Sequence, residues 1–501
     1  MKKILYIPLD ERPCNYYYPQ YISSTRDDVT LIIPPLELLG NKKEPAKVDC
    51  LWEFVFENAN TVDAIVLSVE MLVYGGLLPS RLHHLTKEDV KQRINNLEKL
   101  REKNDKTPIY AFNLIMRTPN LNTSDEEPDY YEDYGERIFQ RAYLLDKKER
   151  IGILNQEEQH LSEISIPNEF IEDYETRRQF NVEVNMLILD LVEKNIINFL
   201  SIPQDDSSEY GYTAMDQKKV YSNIRKKRLE SKVMVYPGAD EVGSTLVARA
   251  LNNLMNRKLK VYPIFSSTFG PFITPLFEDR PIKESLKAHL LAANCMWAED
   301  AQNADFILAI NSPGKMMQEG YEQNNKDVTY NSFRQLQFFV DEIKSYIEKE
   351  IPVVLADSAF ANGGEIELIE ELDMNEILDK LISYKGWNTN CNTMGTSIAA
   401  GVFGFEKLEK PTIKKNVVYH LLDDCFYQSE IRNNITKEVL PSLGANYFDL
   451  NEKEDIVTQE ISQRLQKMYQ DLIRQSFKEV NLDNMKVFSP WKRMFEISIE
   501  F

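Results

Sequence analysis

Histidine is scarce in this chain of 501 residues. The five, at positions 83, 84, 160, 289 and 420, form neither an H-E-x-x-H nor an H-x-H spacing. Zinc-hydrolase chemistry therefore has no foundation in the sequence. Cysteine is equally thin. Cys14, Cys50, Cys295, Cys391 and Cys425 are scattered, odd in number and without a C-x-x-C pair, which argues against a disulfide framework or a zinc ribbon. There is no G-x-S-x-G elbow, no G-x-x-x-x-G-K-[ST] and no G-x-G-x-x-G, so neither a serine hydrolase nor a nucleotide fold is indicated. Basic runs are missing too. Net charge is -20 and the cluster Arg225–Arg228 is short, so nucleic acid is not an expected partner, because phosphate neutralisation dominates that affinity. No apolar run approaches the roughly 20 residues needed to span a bilayer. The opening run Ile4–Leu9 is too short for a secretory signal and stops at Asp10. The expectation is a cytoplasmic protein with no membrane partner.

What is present is a rhythm. Apolar, β-forming runs lie at Ile4–Leu9, Val29–Ile33, Ala64–Val69, Ile109–Leu114, Ile197–Ile202, Val233–Tyr236, Val261–Phe265, Phe306–Ile310 and Val353–Ala356, with a tenth near Ile382–Tyr384. Most are continuous rather than alternating, as in strands buried on both faces of a parallel sheet. Amphipathic stretches such as Lys87–Lys103 and Ser244–Arg257 separate them. This is the α/β pattern. Two architectures fit: a (β/α)8-barrel-like fold with extra strands, or two doubly wound α/β lobes meeting after about residue 258 and sharing a cleft. Carboxylates spread over early, middle and late strands favour the barrel. The α/β region is expected to cover residues 1–404, with a polar, helical insertion at about 118–196 that begins in an acidic surface loop and serves as a lid. Residues 405–501 read as a mostly helical region packing back on the core, with a long amphipathic helix over Asp455–Lys478.

Four polar clusters follow β-like runs: Asp10-Glu11-Arg12, Gln204-Asp205-Asp206, Gly238-Ala239-Asp240-Glu241, and Asp357 with Asn362-Gly363-Gly364. Strand ends converge on one rim in parallel folds, so an acidic, carboxylate-lined pocket is expected. Two neighbouring carboxyls repel when both are ionised, so one holds its proton and the pair divides into an acid and a base. Asp205, Asp206, Asp240 and Glu241 are the candidate catalytic groups. Asp240 and Glu241 are equally placed to cap and charge the helix that follows. Arg12 is suited to hold a carboxylate ionised or to grip an anion. Tyr74, Arg81, Asn113 and Arg117 sit on two further strand ends. Gly386-Trp387-Asn388-Thr389 sets an indole beside amides, the inventory of a sugar subsite.

The ordered series D-E-R-P-C-N, Y-G-G-L-L-P-S-R, Q-D-D, P-G-A-D-E, A-N-G-G and G-W-N-T resembles a bacterial family known as domain of unknown function 4127. That resemblance implies no reaction. The Asp205-Asp206 pair is also similar to the paired aspartates of substrate-assisted N-acetylhexosaminidases, which would imply action on an N-acetylated sugar. The expectation is a glycoside hydrolase-like enzyme with a small saccharide or glycoside as substrate and no cofactor. Asp10, Glu11, Arg12, Tyr74, Arg81, Asn113, Arg117, Asp357, Asn362, Trp387, Asn388 and Thr389 would line the substrate site. The alternatives are a divalent-cation-dependent hydrolase or lyase grouping Asp10, Asp205, Asp240 and Asp357, and a non-catalytic small-molecule binder.

Overall fold

The computed structural model describes residues 1–407 and 410–501. All ten apolar runs are strands, to within two residues at each end. The first six, β1 (Lys2–Ile7), β2 (Val29–Ile32), β3 (Ala64–Ser68), β4 (Ile109–Phe112), β5 (Phe199–Gln204) and β6 (Val233–Pro237), form one parallel sheet in the order β2-β1-β3-β4-β5-β6. Then follow β7 (Lys260–Phe265), β8 (Met296–Trp297), β9 (Phe306–Asn311), β10 (Gln318–Glu319), β11 (Val353–Asp357), β12 (Phe360–Ala361) and β13 (Ser383–Lys385). Five of these build a second parallel sheet, β13-β11-β9-β7-β8, while β10 and β12 pair as a small ribbon.

Read from β8, the second sheet runs second, first, third, fourth, fifth. The first five strands of the other sheet run in the same order from β2. In each, the chain steps to one side of its first strand and then crosses to the other, leaving a switch point between β1 and β3 and between β7 and β9. Among the described residues the edge strands of neither sheet pair with each other, β2 with β6 or β8 with β13, so both sheets are open. The eight-stranded barrel expected from the spread of carboxylates is therefore not formed. The strands build two open α/β lobes, the alternative reading.

The lobes share a core. Along β1, Ile4 and Tyr6 face one apolar cluster while Leu5 and Ile7 face another, the alternation of a strand covered on both sides. Phe306, Leu308 and Ile310 of β9 join the cluster of Ile4 and Tyr6. The helices Val242–Leu254 and Asn390–Gly404 fill this common layer with Leu246, Leu251, Met394, Ile398 and Val402. The outer face of the second sheet, with Ile307, Val353 and Leu355, is covered by C-terminal residues including Val417, Phe426, Ile461 and Leu465. That region contains the helix Glu454–Leu472, a π-helical segment Leu421–Ile431, and the antiparallel pair β14 (Lys486–Phe488) and β15 (Ser498–Glu500). Among the described residues no helix is long and apolar enough to cross a membrane.

Candidate active site

A cavity of about 650 Å³ opens between the lobes at the carboxyl ends of both sheets. Arg12 enters it after β1, Arg117 after β4, Asp205 and Asp206 after β5, and Asp240 after β6. The other lobe contributes Glu278 after β7, Asn362 after β12, and Asn388 and Thr389 after β13. The insertion walls one side with Thr118, Leu121, Phe139 and Tyr143, and Phe495 closes it from the C-terminal region. Asp206, Phe277, Asn362 and Asn388 all line the cavity in left-handed backbone (φ 40, 68, 55 and 61). Bulky or branched residues avoid that region, and its use is concentrated at functional sites.

The pocket is not simply acidic. Asp205, Asp206 and Asp240 each meet an arginine, as buried charge requires. Arg12 donates through Nε and Nη2 to Asp10 Oδ2 at 3.0 and 2.7 Å, and through Nη2 to Asp240 Oδ1 at 2.6 Å. Asn15 Nδ2 bonds the same two carboxylates, Asp10 Oδ1 at 2.9 Å and Asp240 Oδ1 at 2.8 Å. Asp10 therefore orients Arg12 from behind rather than lining the cavity. Burial pushes the Asp240 carboxyl up to about 7, with Arg12 pulling down and Asp10 pushing up. Both of these bonds to Asp240 fall on Oδ1 rather than Oδ2.

On the next strand, Arg81 Nη2 donates to Asp205 Oδ2 at 2.6 Å. Arg117 Nη1 donates to Asp206 Oδ2 at 3.2 Å. The two neighbours are thus held by different cations. Burial, reinforced by the charge of Asp205, raises Asp206 to about 6 against the pull of Arg117. Arg81 is carried by the helix Leu77–Leu82, which follows the Tyr74-Gly75-Gly76 turn. Gly75 (φ 94) permits that turn, where a Cβ would meet the Ala46 nitrogen at 2.8 Å.

The acidic loop Asp125–Asp129, expected at the surface, is instead the clamp behind these arginines. Glu126 accepts from Arg81 (3.0 Å), Arg117 (2.8 Å) and Arg493 (2.5 Å), and is held well below the usual carboxylate range by those three guanidiniums, which overcome its burial. Glu127, fully buried, takes Arg117 Nε at 2.7 Å. Arg493 and Glu496 pair at 2.9 Å, and the guanidiniums of Arg12 (5.0 Å) and Arg493 (4.4 Å) both lie over the Trp491 ring. Trp491 also donates to Glu11 Oε1 at 2.5 Å. Glu11 is thereby tied to the C-terminal region outside the cavity wall, with burial raising it to about 7.

Several expected lining residues lie elsewhere. Glu241 turns away from the cavity: its Oε2 accepts from the Ala239 N–H at 3.0 Å and its Oε1 meets His289 Nε2 at 3.2 Å. The side chain makes no cap bond to the helix Val242–Leu254 and folds back over the preceding turn, where Gly238 makes room for it, since a Cβ there would lie 2.1 Å from Glu241 Oε1. Tyr74 and Asn113 line a neighbouring void of about 10 Å³, too small for a substrate. Asp357 is walled into the second lobe, bonded to Asn311 (2.8 Å), the Glu365 N–H (2.7 Å) and Tyr384 (3.0 Å). Glu365 is gripped by Arg334 Nη2 at 2.6 Å, so the end of β11 is filled by the lobe's own side chains. Trp387 offers no flat platform: 4% exposed, it packs edge-on to Tyr18 and Phe495 at 6.2 and 6.1 Å. Of the carboxylates grouped in the metal reading, Asp357 lies apart and Asp10 and Asp205 are held by arginines. Among the described residues no cluster of three or more His, Cys, Asp or Glu is arranged to hold a metal ion.

Sequence reasoning missed Glu126, Glu278, Arg493 and Glu496. It also missed a buried network on the π-helical segment. His420 Nδ1 bonds Asp424 at 2.9 Å, Asp424 accepts from the Gly386 N–H at 2.8 Å, and Tyr18 donates to Asp423 at 2.7 Å. Lys385, buried beside them, is lowered by desolvation to about 7. Their only sequence signal was an unexplained H-L-L-D-D-C run inside a helical stretch; π-helical turns often mark functional sites.

A family model described as a protein of unknown function (DUF4127) matches residues 4–500. The chain belongs to that family. The match spans both lobes and the C-terminal region, so the arginine–carboxylate cleft lies wholly within the DUF4127 unit. No curated relative matches the chain.

Proposed function

We propose that the cleft is the active site of a glycoside hydrolase-like enzyme. The observation that carries this reading is a pair of carboxyl groups on the adjacent strand ends β5 and β6, set to opposite tasks. Asp205 is paired with Arg81 at 2.6 Å, and Asp240 is pushed up to about 7. A carboxyl whose pKa is raised, working beside a second carboxylate held by a guanidinium, is the division of labour that glycosidic cleavage uses. Asp240 Oδ2 protonates the leaving oxygen. Asp205 stabilises the developing positive charge at the anomeric carbon as nucleophile, as base for a water, or by orienting a substrate amide. Asp206, raised to about 6 beside Arg117, is the second candidate for the acid. Asn362, Asn388 and Thr389 supply donors and acceptors for hydroxyl groups, and Phe139 and Tyr143 supply apolar contact in place of Trp387.

The test is a panel of chromogenic glycosides, with and without divalent metal, on the wild type and on Asp205→Asn and Asp240→Asn. Turnover that each substitution lowers by about 10²-fold or more supports the reading. Full rates in both variants overturn it.

A further inference from the structure

Beside the cleft lies a second cavity, of about 530 Å³, with a different chemistry. Its walls are mostly apolar, Phe269, Phe272, Ile273, Leu276, Met316 and Met317, with Thr274 and Lys315 the two polar members. Phe272 is 66% and Met316 54% exposed. Apolar side chains exposed singly are ordinary, but a contiguous patch marks a binding surface. Methionine thioethers are flexible and polarisable, which suits an irregular apolar guest.

Two observations join this groove to the cleft. Leu276 lines both cavities. Phe277, the next residue, projects into the cleft from left-handed backbone, and its carbonyl accepts from the Ser207 N–H at 3.0 Å. Ser207 directly follows Asp205-Asp206, so the carboxylate strand end and the apolar wall are hydrogen-bonded to each other. Leu276 is thus the apolar step by which a molecule whose polar end reaches Asp205 passes from the cleft into the groove.

We propose that the groove holds the apolar arm of the cleft's substrate, which makes that substrate an amphiphile: a sugar head carrying a long alkyl or acyl chain. The identity of the head rests on the glycosidase reading; the affinity for a chain does not. The full chain is titrated with the neutral fluorescent probe N-phenyl-1-naphthylamine, which is then displaced by n-alkyl β-glucosides from hexyl to dodecyl. Displacement tightens roughly three- to fourfold per added methylene, the factor for burying one CH₂. Phe272→Ser and Met316→Ser each weaken probe and glucoside at least fivefold, while Asp205→Asn leaves probe binding intact. Absence of chain-length dependence, or indifference to both groove substitutions, overturns the proposal. So does a dimer in sedimentation velocity that these substitutions dissolve, since the groove is then an interface between two copies. Chain binding that persists while Asp205→Asn retains full turnover sinks the glycosidase reading and leaves the groove standing.

Discussion

Arg12 donates to Asp240 at 2.6 Å across 228 positions of sequence, and this contact helps join the first strand end to the sixth. Asp10 and Asn15 complete a closed set around it. Removing the guanidinium leaves two buried carboxylates without a cation. Arg12→Met is expected to destabilise the protein by about 3–5 kcal/mol at pH 8, the range for breaking a buried pair, and by less at pH 5, where Asp240 is protonated. Urea unfolding at the two pH values measures both numbers. A loss under about 1 kcal/mol at pH 8 would mean the pairing carries little stability.

The same contact sets a pH profile. If Asp240 acts as the acid, kcat/KM declines as pH rises through about 7. Arg12 lowers the Asp240 pKa, so Arg12→Lys, which loses the planar fork, should move the alkaline limb to higher pH. A limb that stays in place under Arg12→Lys assigns it to another group.

Glu70 offers a stability test free of any reaction. Its Oε1 accepts from Asn113 Nδ2 and the Leu114 N–H, both at 2.7 Å, while Oε2 is buried without a partner. Burial raises its pKa from 4.5 to about 7. The native state then binds the proton more tightly than the unfolded chain. Its stabilisation is full below about 4.5 and is lost as pH rises to about 7, by a total of about 3 kcal/mol. Glu70→Gln should flatten that part of the stability curve. An unchanged slope between pH 4.5 and 7 would show that Glu70 ionises normally.

Trp387 separates the expected sugar platform from the observed core residue. Trp387→Phe should cost about 1–3 kcal/mol of stability while leaving KM for any turned-over glycoside within roughly twofold. A large rise in KM with unchanged stability would place the indole on the substrate.

The sequence disclosed the strands well because residues buried on both faces of a sheet have no room for polar alternation. β9 reads Phe306-Ile307-Leu308-Ala309-Ile310 without a break. It did not disclose their order. Whether the chain turns left or right after β1 depends on where the next helix packs, and nothing in the run Val29–Ile32 records that. Likewise Asp205, Asp206 and Asp240 were visible as charges at strand ends, but their partners were not. Arg493 reaches Glu126 over 367 positions, a pairing that only the folded C-terminal region creates. Trp387 and the Asp125–Asp129 loop misled for one reason: local composition says which groups are polar, not which way the chain carries them.

The two lobes wind alike, yet they have been put to different uses. In one, the ends of the strands stay open to a guest. In the other, Arg334, Glu365, Asn311 and Asp357 cork the corresponding edge from within. The carboxyl end of β11 is thereby closed to any guest, and the second lobe meets the cleft through the loops that follow β7, β12 and β13.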